Sequence, residues 1–177
     1  MGADVQLATL RAAGIKRAWA DTMNLWIDTQ RDDLESVLSL LEGLFLNEEE
    51  ALQLTGASSL EEAGNQILGM GPRIVVVKLG ARGAVLVTGE GQRHFAAYPA
   101  KPVIDPTGAG DSFAGGFLGY LASKGTSGDW PTALLQDAVI AGTATASMAV
   151  ESFSIQRIAE SERPEIESRM DSLKIPL

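Results

Sequence analysis

A chain of 177 residues, 45% of them hydrophobic, is long enough for one domain with a sizeable core and short for two. Its 14 basic and 23 acidic residues leave a net charge of −9, which disfavours nucleic acid or an anionic membrane as partner. With no cysteine and a single histidine, His94, there are no disulfides, no thiolate chemistry and no Cys- or His-rich metal cluster.

The opening MGADVQLATLRAAG lacks the charged-then-apolar pattern of a secretory signal, and Gln6 breaks the myristoylation spacing. Within it, Val5 to Ala13 reads as a short helix. Ile15 to Ala20 reads as a strand ending at Asp21. RDDLESVLSLLEG places Leu34, Val37, Leu38 and Leu41 at helical spacing, which predicts a helix stopped by Gly43. Leu44 to Leu46 follow as a short buried strand. Asn47 can then cap a helix, with Glu50 three residues on. SSLEEAGNQILGMG reads as another helix, capped at Ser58 or Ser59 and ending around Gly69 to Gly71.

RIVVVKLG is continuous and β-branched, the mark of a strand buried on both faces. GARG is a turn, AVLVTG a second strand, GEG a turn and QRHFAAYP a third strand. A helix from Ser112 to Ser123 and a long Ala-rich helix from Thr132 to Val150 follow, and the polar tail RPEIESRMDSLKIPL is expected to be partly loose. Strands alternating with helices, then a small meander, argue for an α/β layered fold with a mainly parallel sheet. No run reaches the roughly 20 apolar residues of a membrane span. A soluble cytoplasmic protein is expected.

Between the strand-like KPVID and the Ser112 helix lies DPTGAGDSF, Asp105 to Phe113. Pro106 holds Asp105 extended, and Gly108 and Gly110 let the backbone bend and approach a ligand. The helix is expected to begin at Gly110 or Asp111. Its first N–H groups lack internal partners and lie at the positive end of the dipole, so they suit a phosphate. Asp111 at that mouth could take a proton from a hydroxyl attacking the phosphate. A plain strand-to-helix turn accounts for the same residues, since Asp favours any first helical turn. Phe113, Phe117, Tyr120 and Leu121 form a core stripe, and Gly115 and Gly116 permit close packing. There is no GxxxxGK[ST] loop and no GxGxxG near the N-terminus.

DPTGAGDSFAGGFL, Asp105 to Leu118, closely resembles the signature of the ribokinase-like, or PfkB, family of carbohydrate and nucleoside kinases. NEEE is similar to that family's N-x-x-E motif, KLGARGA to its Gly-x-x-Gly nucleotide turn, ASMAVESFS to the end of its adenine-side helix, and ADTMNLWI to a strand end in its middle. The resemblance implies a three-layer, Rossmann-like ribokinase-like fold. It implies Asp111 as catalytic base and Gly108, Ala109 and Gly110 as a backbone anion hole. Asn47 and Glu50 would place magnesium and phosphate, largely through water. Lys78, Gly80 and Gly83 would border ATP, with Arg82 near phosphate or simply exposed. Thr143, or Gly142, would meet the adenine. Asp105 and Thr107 stand where some members bind a monovalent cation such as K⁺.

These kinases begin with a further βαβ portion that carries a β-stranded lid and the residues holding the acceptor. Nothing in residues 1 to 14 resembles it, so residues 1–177 read as the C-terminal, ATP-binding part of the fold. The expected activity is transfer of the γ-phosphoryl group of ATP, with Mg²⁺, to a hydroxyl of a small sugar-like or nucleoside acceptor. The alternatives are a non-catalytic nucleotide-binding remnant or one half of a split enzyme. Asp21 and Asn24 could line the acceptor cleft or merely cap a strand end. A sheet lacking its first strands exposes an edge and an apolar face, so self-association or pairing with an N-terminal half is expected.

Overall fold

The structure, a computed structural model, describes residues 2–15, 17–125 and 130–174. It divides into two compact units, Met1–Leu79 with Val85–Arg93, and Gly80–Ala84 with His94–Leu177.

In the first unit the elements run α1 (Ala3–Ala13), β1 (Ala18–Asp21), α2 (Asn24–Thr29), α3 (Arg31–Leu38), β2 (Leu41–Asn47), α4 (Glu48–Thr55), α5 (Leu60–Gly69) and β3 (Ile74–Lys78). β4 (Ala84–Thr88) and β5 (Gly91–Phe95) complete a sheet of order β1-β2-β3-β4-β5. β1 pairs parallel with β2, and β2 parallel with β3. The links Leu79 to Gly83 and Gly89 to Glu90 are too short for a parallel crossover, so β3, β4 and β5 form the small meander. β3 is buried from Ile74 to Val77, as its unbroken β-branched run implies. The core gathers Leu34, Val37, Leu38, Leu44, Leu46, Leu54, Ile67, Val75 and Val77.

Local signals fix the helix ends. Asn47 and Glu50 form a reciprocal capping box, and Gly56 closes α4 in the left-handed region. The Ser59 side chain accepts from the Glu62 amide and caps α5. The helix expected to run to Gly43 ends instead at Leu38, where the Ser39 hydroxyl donates to the Ser36 carbonyl. Gly43 lies inside β2, paired with Trp19, whose ring would be 2.4 Å from a Cβ at that position. The glycine is there to admit an indole that packs 5.1 Å from the Phe45 ring. DTMNLWI is likewise only partly a strand end. β1 stops at Asp21 and Asn24–Thr29 is helical. Of the strand expected from Ile15, Lys16 lies outside the described residues.

The second unit holds a 3₁₀ turn (Gly80–Arg82), α6 (Ala109–Ser123), α7 (Thr132–Ala149), α8 (Gln156–Glu160) and α9 (Arg163–Lys174). α6 buries Phe113, Phe117 and Leu121. The α6–α7 contact is close because two glycines meet it. A Cβ at Gly116 would be 2.4 Å from Thr145 Oγ1, and one at Gly142 would be 2.8 Å from the Phe113 carbonyl. Gly115 faces open space and plays no such part. A smaller core of Ile140, Ala141, Ala144 and Met170 joins α7 to α9. The tail is therefore a helix through Lys174, not a loose segment, and Ile175 to Leu177 lie outside the described residues. Arg169 and Met170 anchor that polar helix. KPVID forms no strand and β5 ends at Phe95, so Ala96 to Gly108 connect β5 to α6 without regular structure.

Candidate active site

The glycine turn is built from its own backbone. Asp105 Oδ1 accepts from the Thr107 amide at 2.9 Å, and the Pro106 carbonyl accepts from the Ala109 amide at 3.2 Å. The first of these bonds, then one from the Thr107 hydroxyl, holds the Asp105 carboxyl below its ordinary pKa. Gly108 is the N-cap of α6, with φ 76° in the left-handed region, and provides no side-chain cap. The helix starts at Ala109, a residue before the position expected from sequence. Its first-turn amides belong to Ala109, Gly110 and Asp111, and the Asp111 carboxylate is exposed beside them. Fifteen aligned residues stand behind that end. The result is an uncapped helix N-terminus with a free approach and a carboxylate at its rim, suited to an anion and a proton acceptor together.

The other predicted residues of the second unit are tied more tightly into the fold. Gly83, at φ 99°, passes so close to Phe95 that a Cβ would be 1.9 Å from the Phe95 carbonyl oxygen. Gly80, at φ 60°, has open space around it and accepts from the Gly83 amide through its carbonyl at 3.0 Å. Arg82 is exposed, and its carbonyl meets His94 Nε2 at 2.8 Å. Thr143 is buried in α7 and donates its hydroxyl to the Val139 carbonyl, so it offers a packing surface more than a free donor.

In the first unit, three neighbouring parallel strands end on polar residues. β1 ends at Asp21, β2 at Asn47 and β3 at Lys78. The C-terminal ends of parallel strands are where α/β proteins place ligands. Asn47 Oδ1 accepts from the Glu50 amide and Glu50 Oε2 accepts from the Asn47 amide, each at 2.8 Å. Lys78 Nζ donates to Asp21 Oδ2 at 2.5 Å, a pairing that sequence reading missed because the partners lie 57 residues apart. Glu50 is 6% exposed, and burial raises its pKa. The Asn47 amide opposes that shift, the Asp21 charge adds to it and the Lys78 charge offsets it. Asn24 donates to Gln53 Oε1 at 2.6 Å and so braces α2 against α4. Beside Asp21, the Thr22 hydroxyl is buried without a hydrogen-bond partner.

Among the described residues no three acids or histidines converge on a metal cage. Glu50 and Asp21 supply hard carboxylate oxygens, but Asp21 already accepts from the Thr22 amide and Lys78 and Glu50 from the Asn47 amide, so they would suit a hard divalent cation held through its water. Asp105 and Thr107 supply one half-buried carboxylate, already bonded to a backbone amide, and one hydroxyl. That pair alone makes no cage for a monovalent cation.

Residues 5–162 match the family described as pfkB family carbohydrate kinase. The chain belongs to that family. It is 47% identical over 98 residues to a cytidine kinase of Thermococcus kodakarensis, a stretch that covers 54% of this chain and 35% of the relative. It also matches the structure of aminoimidazole riboside kinase from Salmonella enterica complexed with aminoimidazole riboside and an ATP analog. There the TM-score is 0.73 at 29% identity, over 93% of this chain and 55% of the other. A putative ribokinase II of E. coli in complex with ATP and Mg²⁺ gives a TM-score of 0.71 at 29% identity, over 94% of this chain and 52% of the other. The fold is thus the α/β fold of the ribokinase-like kinases, and the chain spans about half the length of those two structures.

Proposed function

We propose that the protein transfers the γ-phosphoryl group of ATP to a hydroxyl of a sugar or nucleoside. One observation carries this reading. The N-terminus of α6 is an uncapped glycine turn with an exposed Asp111 in its first turn. The amides of Gly108 and Gly110 hydrogen-bond the oxygens of the transferred group and stabilise the charge it carries in transfer, and the Ala109 amide joins them by giving up its 3.2 Å bond to the Pro106 carbonyl. Asp111 accepts the proton as the acceptor oxygen bonds to phosphorus and the bond to ADP breaks. Gly80 and Gly83 border the nucleotide, and Thr143 and Gly142 form an apolar support on its adenine side.

Magnesium, when bound, neutralises phosphate charge. Asn47 and Glu50 would hold it through water, and the capping box orients the Glu50 carboxylate. Lys78 acts through Asp21, which it holds in place. The family relatives act on cytidine or aminoimidazole riboside by name, which supports a ribose-bearing acceptor. An ATP-dependent reaction in a cysteine-free chain fits the cytoplasm. A monovalent cation at Asp105 and Thr107 requires oxygens beyond those two residues.

Asp111→Asn tests the assignment. Turnover should fall by about 10² to 10⁴, the usual contribution of a general base, while ATP affinity stays within a few-fold. Retained turnover in that variant sinks the role. The second reading is a nucleotide-binding module without transfer, which needs the amides at the α6 N-terminus but not the Asp111 carboxylate. It requires ATP binding with no acceptor-dependent ADP release across a panel of sugars and nucleosides. We further propose that the chain associates, through its β1 edge, with a second copy or with another chain.

A further inference from the structure

The catalytic turn hangs at the end of Ala96 to Gly108, a connection with no regular structure, and two supports hold it. Near its start is the Tyr98 ring. Near its end, the Ile104 and Asp105 amides donate to one acceptor, the Val150 carbonyl, at 2.7 and 3.3 Å. Val150 closes α7, and the next residue is Glu151.

Tyr98 and Glu151, the residue next to Val150, meet one side chain of α9. The Arg169 guanidinium lies 4.7 Å from the centroid of the Tyr98 ring. It donates to Glu151 Oε2 at 2.7 Å and to Ser147 Oγ at 2.8 Å. Arg169 is only 8% exposed. Glu165 stands 3.5 Å from it and Arg157 stands 3.6 Å from Glu151, so two arginines and two glutamates balance in one cluster of which Arg169 is the buried member. A guanidinium has five donors in a rigid plane, so it can stack on a ring and bond two oxygens at once.

We infer that Arg169 is a positioning residue for the catalytic turn. It fixes Glu151, and with it the Val150 carbonyl that sets Ile104 and Asp105, while the same plane holds Tyr98. Asp105 in turn bonds the Thr107 amide, one residue before Gly108. The inference rests on the reading that Gly108 to Asp111 receives phosphate, since only then does the position of the turn bear on rate.

The test is amide hydrogen exchange on the full chain, with phosphoryl transfer as a second readout. Arg169→Met and Glu151→Gln should each speed exchange at Ile104 and Asp105 about tenfold, while the α7 core amides from Val139 to Ala144 stay unchanged. Arg169→Lys, which keeps the charge but not the fork, should fall between. In transfer assays kcat should drop about tenfold or more with the KM for ATP within about threefold, because a slightly displaced anion hole still binds. Unchanged exchange at Ile104 and Asp105 overturns the inference. An equal rise across α7 overturns it as well, since Arg169 would then only stabilise the unit. If Arg169→Met does not fold, Arg169→Lys and Glu151→Gln decide it. A wild-type chain that neither binds ATP nor transfers phosphate removes the functional reading, while the exchange pattern still decides the coupling.

Discussion

The carboxylate of Glu50 closes a capping box with Asn47 while almost fully buried, and burial pushes its pKa above the ordinary 4.5. A carboxyl whose folded pKa is raised favours the fold most below its unfolded value, and that contribution is lost as pH rises through the folded pKa. In metal-free protein, ionised Glu50 is therefore a net cost from about pH 4.5 upward. Glutamine keeps the size of the side chain and an oxygen for the Asn47 amide, but carries no charge. Glu50→Gln should be as stable as the parent or more stable at pH 7, with the difference closing as pH falls toward and below 4.5. Urea melts at the two pH values measure this, and a clear loss of stability at pH 7 would contradict it. The same variant should bind magnesium-ATP more weakly. A residue that the fold would rather have neutral, kept as an acid, is what a functional site leads one to expect.

On the scale of an element, α6 carries glycines with opposite consequences. A Cβ at Gly116 would be 2.4 Å from Thr145 Oγ1 and 2.7 Å from Thr145 Cβ, and a β-branched side chain on a packed helix has little room to retreat. At Gly115 and Gly119 nothing lies within 4 Å of the same atom. Gly116→Ala should cost about 1–3 kcal/mol by overpacking, whereas Gly115→Ala and Gly119→Ala should each add about 0.4–1 kcal/mol by stiffening the unfolded chain. Thermal melts of the three variants separate the two cases, and equal shifts would refute the packing argument. These glycines also mark how far the sequence could be read. Their spacing with Phe113 and Phe117 made α6 evident, as Ser59 did α5 and the Asn47–Glu50 pair did α4, because each signal lies within a few residues. Gly43 misled, since the reason for it is an indole on a neighbouring strand. The ties around the candidate residues of each unit, Asp21 to Lys78 in the first and Arg169 to Glu151 in the second, join residues far apart in sequence. α9, with its charged sequence, is held as a helix by contacts at Arg169 and Met170 that only the fold creates.

For the molecule as a whole, the question is what its exposed apolar surface and its open edge do in solution. β1 ends the sheet order and so offers unpaired backbone groups along one side. The first unit exposes Val5 and Leu25 on the helices flanking β1, Ile15 and Met23 in the turns beside it, and Leu40 in the turn before β2. The second unit exposes Val103, Ile104, Phe153 and Ile155, of which Phe153 is 69% exposed. Apolar groups gathered beside an unpaired strand favour association, and the net charge of −9 opposes it at long range. Salt screens repulsion between copies without weakening apolar contact, with a Debye length of about 10 Å at 0.1 M and about 3 Å at 1 M. Light scattering at tens of micromolar, roughly the range where weak interfaces form, should therefore give a mass above 18.7 kDa that grows with salt. Leu25→Ser and Ile15→Ser should shift it back toward the monomer, whereas Phe153→Ser, far from β1 in sequence, should leave it unchanged if the edge is the interface. A monodisperse monomer at every salt concentration would show that the charge prevails and that the edge stays open.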